Sequence, residues 1–76
     1  MLTIVRVGML DGNTLDVQFS NNNILLLELT PLMQRPEFSQ LIEDDRILYP
    51  KTDGQSVYWR DGPGLTLEDI IAMVRS

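Results

Sequence analysis

The segment that decides the fold is VYWRDGPGLTLEDI, residues 57–70, which contains the only tryptophan of the chain. Its first residues alternate as in a half-buried strand, with Val57 and Trp59 on one face and Tyr58 and Arg60 on the other. An indole on the same face as a valine, shortly before a helix, is typical of a core residue. We therefore predict that the strand buries Trp59 and exposes its opposite face.

After this strand the chain turns sharply and begins a helix. DGPG at residues 61–64 ends the strand, because proline cannot donate a ladder hydrogen bond and glycine frees the backbone. Thr66 is a typical N-cap, and Asp69 lies three positions later, which makes a near capping box. Apolar residues then recur at helical spacing, at Leu67, Ile70, Ile71 and Val74. We expect Trp59 to pack on Ile70 or Ile71.

The first part of the chain predicts three strands joined by two turns. Residues 3–9 are rich in β-branched side chains, residues 14–20 alternate between apolar and polar, and residues 24–29 form a short leucine-rich run. The turns, DGN at 11–13 and NNN at 21–23, consist of residues that tolerate positive φ. This order predicts a meander.

Alternation also predicts which side chains of these strands share a face. In the first strand one face carries Thr3, Val5, Val7 and Met9, and the other carries Ile4, Arg6 and Gly8. In the second strand the inward residues are Leu15, Val17 and Phe19, and the residues that face water are Asp16 and Gln18.

The middle of the chain predicts two short helices. Thr30 is a typical N-cap and Pro31 suits the first helical position, so we expect a helical turn over residues 30–33. A second helix can begin at Pro36, with an inner face formed by Phe38, Leu41 and Ile42. The acidic cluster Glu43–Asp45 should end it, because the helix dipole disfavours negative charge there.

Two further extended runs are ILYP at 47–50 and SVYWR at 56–60, joined by a hairpin whose signal is Asp53-Gly54. The predicted order is β-β-β-α-β-β-α, an α+β fold with a small, mainly antiparallel sheet made of a three-stranded meander plus a further hairpin, and short helices on one face. With 76 residues the chain is a single domain, 1–76. A β-grasp fold would need a long helix directly after the second strand, where the asparagines and a proline oppose it.

The composition excludes several classes of function. The chain has no cysteine and no histidine, which removes disulfides, the usual zinc ligands and the most common catalytic side chains. We therefore expect no catalytic residues, no metal, no cofactor and no enzyme activity. The net charge of -5 opposes direct binding of nucleic acid and favours a basic protein partner. Since no segment has the roughly 18 continuous apolar residues of a membrane span, we expect a cytoplasmic protein without membrane association.

Three exposed residues form the candidate partner surface, namely Tyr58, Arg60 and Asp61. Trp59 can be interpreted in a second way, as a stacking platform for a sugar or another small ligand, although its pattern favours the core. Glu43–Asp45 offers oxygen ligands to a cation, but consecutive residues do not point at one ion, so a solvated face is the favoured interpretation.

Four segments in this order carry a resemblance: LDVQFSNNN, LTPLM, PEFSQL and VYWRDGPGLTLEDI. Together they resemble the short bacterial proteins grouped as Domain of Unknown Function 2442, over nearly the whole chain. The residues at marker positions of that family are Phe19, Pro31, Leu32, Phe38, Trp59, Gly62 and Leu65. The sequence departs from the pattern at Asn21–Asn23, where an Asp/Asn-Gly pair is usual, and at Ile47, where an aromatic residue is common.

The resemblance implies a fold but no activity, since that family has none established. It also implies a setting, because members are often encoded beside a small basic protein in what look like toxin–antitoxin pairs. Our leading hypothesis is a non-catalytic module that binds a protein partner, in the antitoxin-like role, through a sheet edge or the face bearing Tyr58 and Arg60. The alternatives are a self-associating structural protein, with a homodimer contact that completes its core, and a small-ligand or sugar binder around Trp59.

Overall fold

The computed structural model describes residues 2–75, and their first part forms a three-stranded antiparallel sheet, sheet A. Its strands are β1 (Ile4–Leu10), β2 (Thr14–Phe19) and β3 (Ile24–Glu28), in the spatial order β1-β2-β3. Asp11 and Gly12 have φ of 56° and 76°, and Asn22 has φ of 70°. Both predicted turns are confirmed, because their residue types tolerate this left-handed backbone.

A bulge in β1 changes which side chains reach the core. Ile4 pairs with Phe19 while Arg6 pairs with Gln18, so Val5 has no residue opposite it. The extra residue shifts the alternation by one. Ile4 is therefore buried on the same face as Val7 and Met9, and Val5 is 55% exposed. The predicted faces of the first strand were wrong at Ile4 and Val5 for this reason.

The second strand follows its alternation more closely. Its predicted inward residues are all buried: Leu15, Val17 and Phe19. Asp16 and Gln18, which were expected to face water, are only half-exposed, because β2 is the central strand and has neighbours on both sides. Asp16 lies between Gly8 and Leu26 across the sheet, and its buried Oδ1 has no hydrogen-bond partner among the described residues.

Two helical segments follow β3. The first is a 3₁₀ turn, Thr30–Leu32, in which Thr30 is the first residue and not the N-cap. The Thr30 hydroxyl instead donates to Glu28 Oε1 at 3.0 Å, so the predicted cap was wrong although the turn itself is confirmed. Helix α1 spans Pro36–Glu43 and ends beside the acidic cluster, as predicted. It buries Phe38 and Leu41, but Ile42 is exposed because an eight-residue helix presents only a narrow stripe.

The segment after α1 is helical where we expected a strand. Arg46–Leu48 is a 3₁₀ turn, entered through Asp45 at φ 64° and closed by the Tyr49 N–H, which donates to the Arg46 carbonyl at 3.0 Å. At its start the Arg46 N–H donates to Asp44 Oδ1 at 3.1 Å. The prediction of an extended run over residues 47–50 was wrong, because these local hydrogen bonds compete with a strand. Ile47 is the buried residue of this turn.

A second three-stranded antiparallel sheet, sheet B, follows: β4 (Lys51–Thr52), β5 (Ser56–Tyr58) and β6 (Gly64–Thr66), in the order β4-β5-β6. The hairpin at Asp53-Gly54 is confirmed, with Gly54 at φ 100°. Strand β6 was not predicted, because three residues are too few to show alternation. The Ile4 N–H donates to the Gly54 carbonyl at 2.7 Å and so joins the two sheets.

Helix α2 spans Leu67–Arg75 and begins with the predicted capping box. The Thr66 N–H donates to Asp69 Oδ2 at 3.0 Å, and the Asp69 N–H donates to Thr66 Oγ1 at 3.1 Å. The predicted apolar stripe is right at Ile70, which is buried. It was wrong at Ile71 and Val74, which are both exposed, because the helix rests on the sheet through a narrower face.

Trp59 lies in the shared core of both sheets and both helices, only 2% exposed. Its ring meets Phe38 of α1 edge to face, with centroids 5.7 Å apart and planes at 80°. The indole N–H donates to the Ile47 carbonyl at 3.1 Å. The prediction of a core indole is confirmed, and Ile70 belongs to the same core cluster while Ile71 is exposed. The α+β class is confirmed, with a sixth strand added.

No helix within residues 2–75 has the length and the apolar character needed to cross a membrane.

The hairpin of sheet B depends on the Asp53 carboxylate, which gives a pH-dependent prediction. Hydrogen bonds from the Gln55 N–H and the Ser56 hydroxyl and N–H lower the pKa of Asp53 below its usual value. Because the pKa of Asp53 is lower in the folded protein than in the unfolded chain, the ionised carboxylate stabilises the fold at pH values above the unfolded-state pKa. This stabilisation is lost as the pH falls through the folded-state pKa. Asp53→Ala should thus be less stable than wild type at pH about 7, and the difference should shrink below about pH 4. Urea unfolding followed by tryptophan fluorescence measures it, and a difference that does not change with pH would contradict it.

Candidate functional site

The three residues of the candidate partner surface lie together at the end of β5. Tyr58 is exposed, and the side chains of Arg60 and Asp61 are 82% and 88% exposed. Arg60 Nε lies 3.9 Å from Asp61 Oδ2, a long ion pair in open solvent that adds little to stability. We call Tyr58, Arg60 and Asp61 the turn surface.

Arg46, which the sequence did not single out, holds this turn in place. Its NH1 donates to the Asp61 carbonyl at 2.9 Å and also to the Arg60 carbonyl. Its Nε donates to Asp44 Oδ2 at 2.8 Å, and the Arg46 side chain is only 25% exposed. One guanidinium therefore connects the acidic cluster Glu43–Asp45 to the turn surface.

The backbone of the turn is fixed from the core side as well. The Gly62 N–H donates to the Trp59 carbonyl at 3.1 Å, and the Trp59 N–H donates to the Pro63 carbonyl at 3.2 Å. Gly62 approaches the core so closely that a Cβ atom there would lie 2.9 Å from Leu41 Cδ2. Asp61, at φ 51°, provides the left-handed residue of the turn. The turn surface is thus exposed in its side chains and rigid in its backbone.

The chemistry of the turn surface suits protein contact better than catalysis or metal binding. Both oxygens of Asp44 accept hydrogen bonds from Arg46, so this carboxylate is already engaged. Among residues 2–75 no group of three or more histidine, cysteine, aspartate or glutamate side chains is placed to hold a metal ion. Tyrosine and arginine are the residue types that contribute most often to protein interfaces. Trp59 is buried, so its ring offers no open face for a sugar or base to stack on.

A second candidate surface is the free edge of β3. The Phe19 N–H donates to the Asn23 carbonyl, and the Leu29 N–H donates to the Asn13 carbonyl. In an antiparallel pair the residues bonded to the neighbour alternate, so Leu25 and Leu27 bond to β2. The N–H and C=O groups of the intervening residues point outward: Ile24, Leu26 and Glu28. We call this the β3 edge.

Two grooves, of about 450 and 460 Å³, run beside the β3 edge and share Leu25 and Val74. Both grooves are lined by β3 and α2; one is completed by Leu2, Phe19 and the turn at Asn21–Asn23, and the other by the segment around the first 3₁₀ turn. Exposed apolar residues of β3 and α2 line them, namely Ile24, Leu26, Ile71 and Val74. We call this pair the edge groove. The sequence did not predict the edge groove, because Ile71 and Val74 of the apolar α2 stripe were expected to be buried.

No known family model, curated protein or solved structure matches this chain. The resemblance to Domain of Unknown Function 2442 therefore stays a prediction that rests on the motifs alone.

Removing the Arg46 side chain should loosen the turn. Arg46→Ala loses the bonds to the Arg60 and Asp61 carbonyls and to Asp44, so we expect a loss of about 1–2 kcal/mol in the free energy of unfolding. Amide hydrogen exchange at Gly62 should become faster, since that N–H closes the turn. Arg60→Ala removes the same charge from an exposed side chain and should change neither quantity. Equal effects of the two variants would contradict this role of Arg46.

The close approach of Gly62 gives a second prediction. In Gly62→Ala the new methyl group collides with the fully buried Leu41, so the free energy of unfolding should fall by about 1–3 kcal/mol. Gly8→Ala is the matched control, because a Cβ atom there meets nothing within 4 Å. That variant should be neutral or slightly stabilising, through the reduced entropy of the unfolded chain. Urea unfolding of both variants measures the contrast, and a Gly62→Ala protein as stable as Gly8→Ala would contradict it.

Proposed function

We propose that this chain is a small, non-catalytic protein-interaction module that binds a basic protein partner through the turn surface and the adjoining acidic cluster. One observation carries the proposal: Arg46 bonds both to the Arg60 and Asp61 carbonyls and to the Asp44 carboxylate, which holds the turn surface and the acidic cluster Glu43–Asp45 together. A rigid, exposed surface loses little conformational entropy when a partner binds.

Charge supports a basic partner. The net charge is -5, and carboxylates on both sides of Arg46 remain exposed. A complementary potential speeds encounter and suppresses wrong partners. The antitoxin-like role that the resemblance implies, with a small toxin-like basic protein as partner in the cytoplasm, is the finer form of this proposal.

Two further observations support a role without catalysis. The chain has no histidine and no cysteine, which are the most common catalytic bases and nucleophiles. The hydrogen bonds that lower the pKa of Asp53 make its carboxylate a weaker base, which is the opposite of what a general base requires at neutral pH.

The proposal is tested by capture of a partner from lysate of the source organism on the immobilised chain. We expect a basic protein that salt releases, because exposed charges are screened within about 8 Å at physiological ionic strength. Tyr58→Ala should weaken its binding by about tenfold or more, as loss of an interface tyrosine does.

Tyr49→Ala is the matched control, since Tyr49 is also exposed but lies outside the turn surface. Its binding should equal that of wild type. Capture of no protein, or equal capture by the Tyr58 and Tyr49 variants, would contradict the proposed surface.

A further inference from the structure

The β3 edge presents backbone groups that no neighbouring strand uses. In sheet A, β3 pairs only with β2 among the described residues. The outward N–H and C=O groups belong to Ile24, Leu26 and Glu28, as the β2–β3 register and its end hydrogen bonds require. An open, apolar edge strand is a template for another strand.

The residues around this edge are apolar and poor in charge. Leu26 is 57% exposed at the centre of β3, and Ile71 and Val74 of α2 are exposed beside it. Among the described side chains of the edge groove, those that carry a charge are Glu28 and Arg35, one of each sign. The chain as a whole has 6 basic and 11 acidic residues, so its excess negative charge lies elsewhere.

We propose that the β3 edge pairs antiparallel with the β3 edge of a second copy of this chain, with Leu26 at the twofold axis. Leu26 would then face Leu26 of the second copy, and Ile24 of each copy would face Glu28 of the other. These three residue pairs each exchange two N–H···O bonds, which use every outward backbone group of the edge. The two copies of sheet A would form one continuous six-stranded sheet.

The register follows from the strand itself. Centring on Leu26 uses the full length of β3, Ile24–Glu28. It also separates the two Glu28 carboxylates, which would repel each other if they were directly opposite. The exposed Ile71 and Val74 of each copy would lie beside the joined edge and lose contact with water, because both line the edge groove.

Charge decides between a second copy and a basic strand as the occupant. A basic strand would gain from facing several carboxylates, yet among the described side chains that line the edge groove Glu28 is the one carboxylate, with Arg35 beside it. Two copies of the acidic chain can meet here because the like charges lie outside the contact. This edge is separate from the turn surface, so the inference goes beyond the proposed function and does not depend on it.

The size of the surface sets the expected affinity. Each copy would contribute the five residues of β3, Ile24–Glu28, and the exposed Ile71 and Val74 of α2. Standard stable interfaces involve roughly 20–30 residues on each side. We therefore expect a reversible dimer that dissociates on dilution through the micromolar range, at roughly 1–100 µM.

Sedimentation equilibrium from about 1 µM to about 1 mM tests the dimer. Leu26→Lys places a charge at the centre of the joined edge. Natural edge strands carry such charges to prevent pairing, so the variant should raise the dimer Kd by about tenfold or more. Leu10→Lys is the matched control, since Leu10 is an exposed leucine on the outer face of the same sheet, in β1. It should leave the Kd unchanged.

Leu26→Pro is a second variant, which removes a backbone donor together with the leucine side chain and adds no charge. The Leu26 N–H points away from β2, so a proline there should keep the β2–β3 ladder and remove one donor from each copy, which eliminates both hydrogen bonds of the central Leu26–Leu26 pair and should raise the dimer Kd. In the wild type, hydrogen exchange at the Leu26 amide should slow as the concentration rises, and this measurement needs no variant. Circular dichroism and tryptophan fluorescence establish that each variant is folded.

Three results would overturn the inference. The first is a wild type that stays monomeric up to about 1 mM. The second is a Leu26 amide whose exchange rate does not depend on concentration. The third is an equal loss of dimer in Leu26→Lys and Leu10→Lys, which would place the contact on the face of the sheet. A monomer that still captures a basic protein through Tyr58 would overturn the dimer and leave the proposed function intact.

Discussion

The burial of Trp59 joins the end of sheet B to helix α1 and the second 3₁₀ turn. Its ring meets Phe38 of α1, and its N–H bonds to the Ile47 carbonyl of the second 3₁₀ turn. An edge-to-face aromatic pair contributes roughly 0.5–1.5 kcal/mol beyond the buried area. In a domain of this length the core supplies a net stability of about 3–5 kcal/mol, so this one side chain is decisive. Sheet B, with strands of two and three residues, depends on that contact for its position against α1.

The candidate partner surface is a consequence of the same packing. Because the chain buries Val57 and Trp59 at the end of β5, Tyr58 between them points to solvent, and Arg60 follows in the exposed turn. The turn that follows is then held close to the core by Gly62, which leaves no room for a side chain, and by the guanidinium of Arg46. The packing of Trp59 thus both fixes the backbone of the turn against the core and exposes the side chains of the turn surface to solvent. This combination makes the surface suitable for binding.

The short chain also explains the open edge. A domain this small buries a lower fraction of its surface than a larger one, and no strand within residues 2–75 pairs with the outer edge of β3. Helix α2 is only nine residues long and buries Ile70, so its neighbours Ile71 and Val74 stay exposed beside that edge. Association with another chain is a means by which a protein without cysteine, and so without disulfides, can cover such a surface.

Local residue types by themselves determined the turns, the capping box and the fold class. Asp11, Asn22 and Gly54 adopt the left-handed backbone their types favour, and Thr66 with Asp69 caps α2 through bonds three residues apart. The alternation of Val57 to Arg60 was sufficient to predict the buried indole and the exposed turn surface.

Tertiary structure decided the features that depend on residues distant in the chain. The β1 bulge, which moves Ile4 into the core, is set by pairing with Phe19, and Arg46 reaches carbonyls 14 and 15 positions away. The shape of the sheet beneath α2 sets the rotation of this helix about its axis and leaves Ile71 and Val74 beside the β3 edge. The spacing of apolar residues in the helix does not determine that rotation.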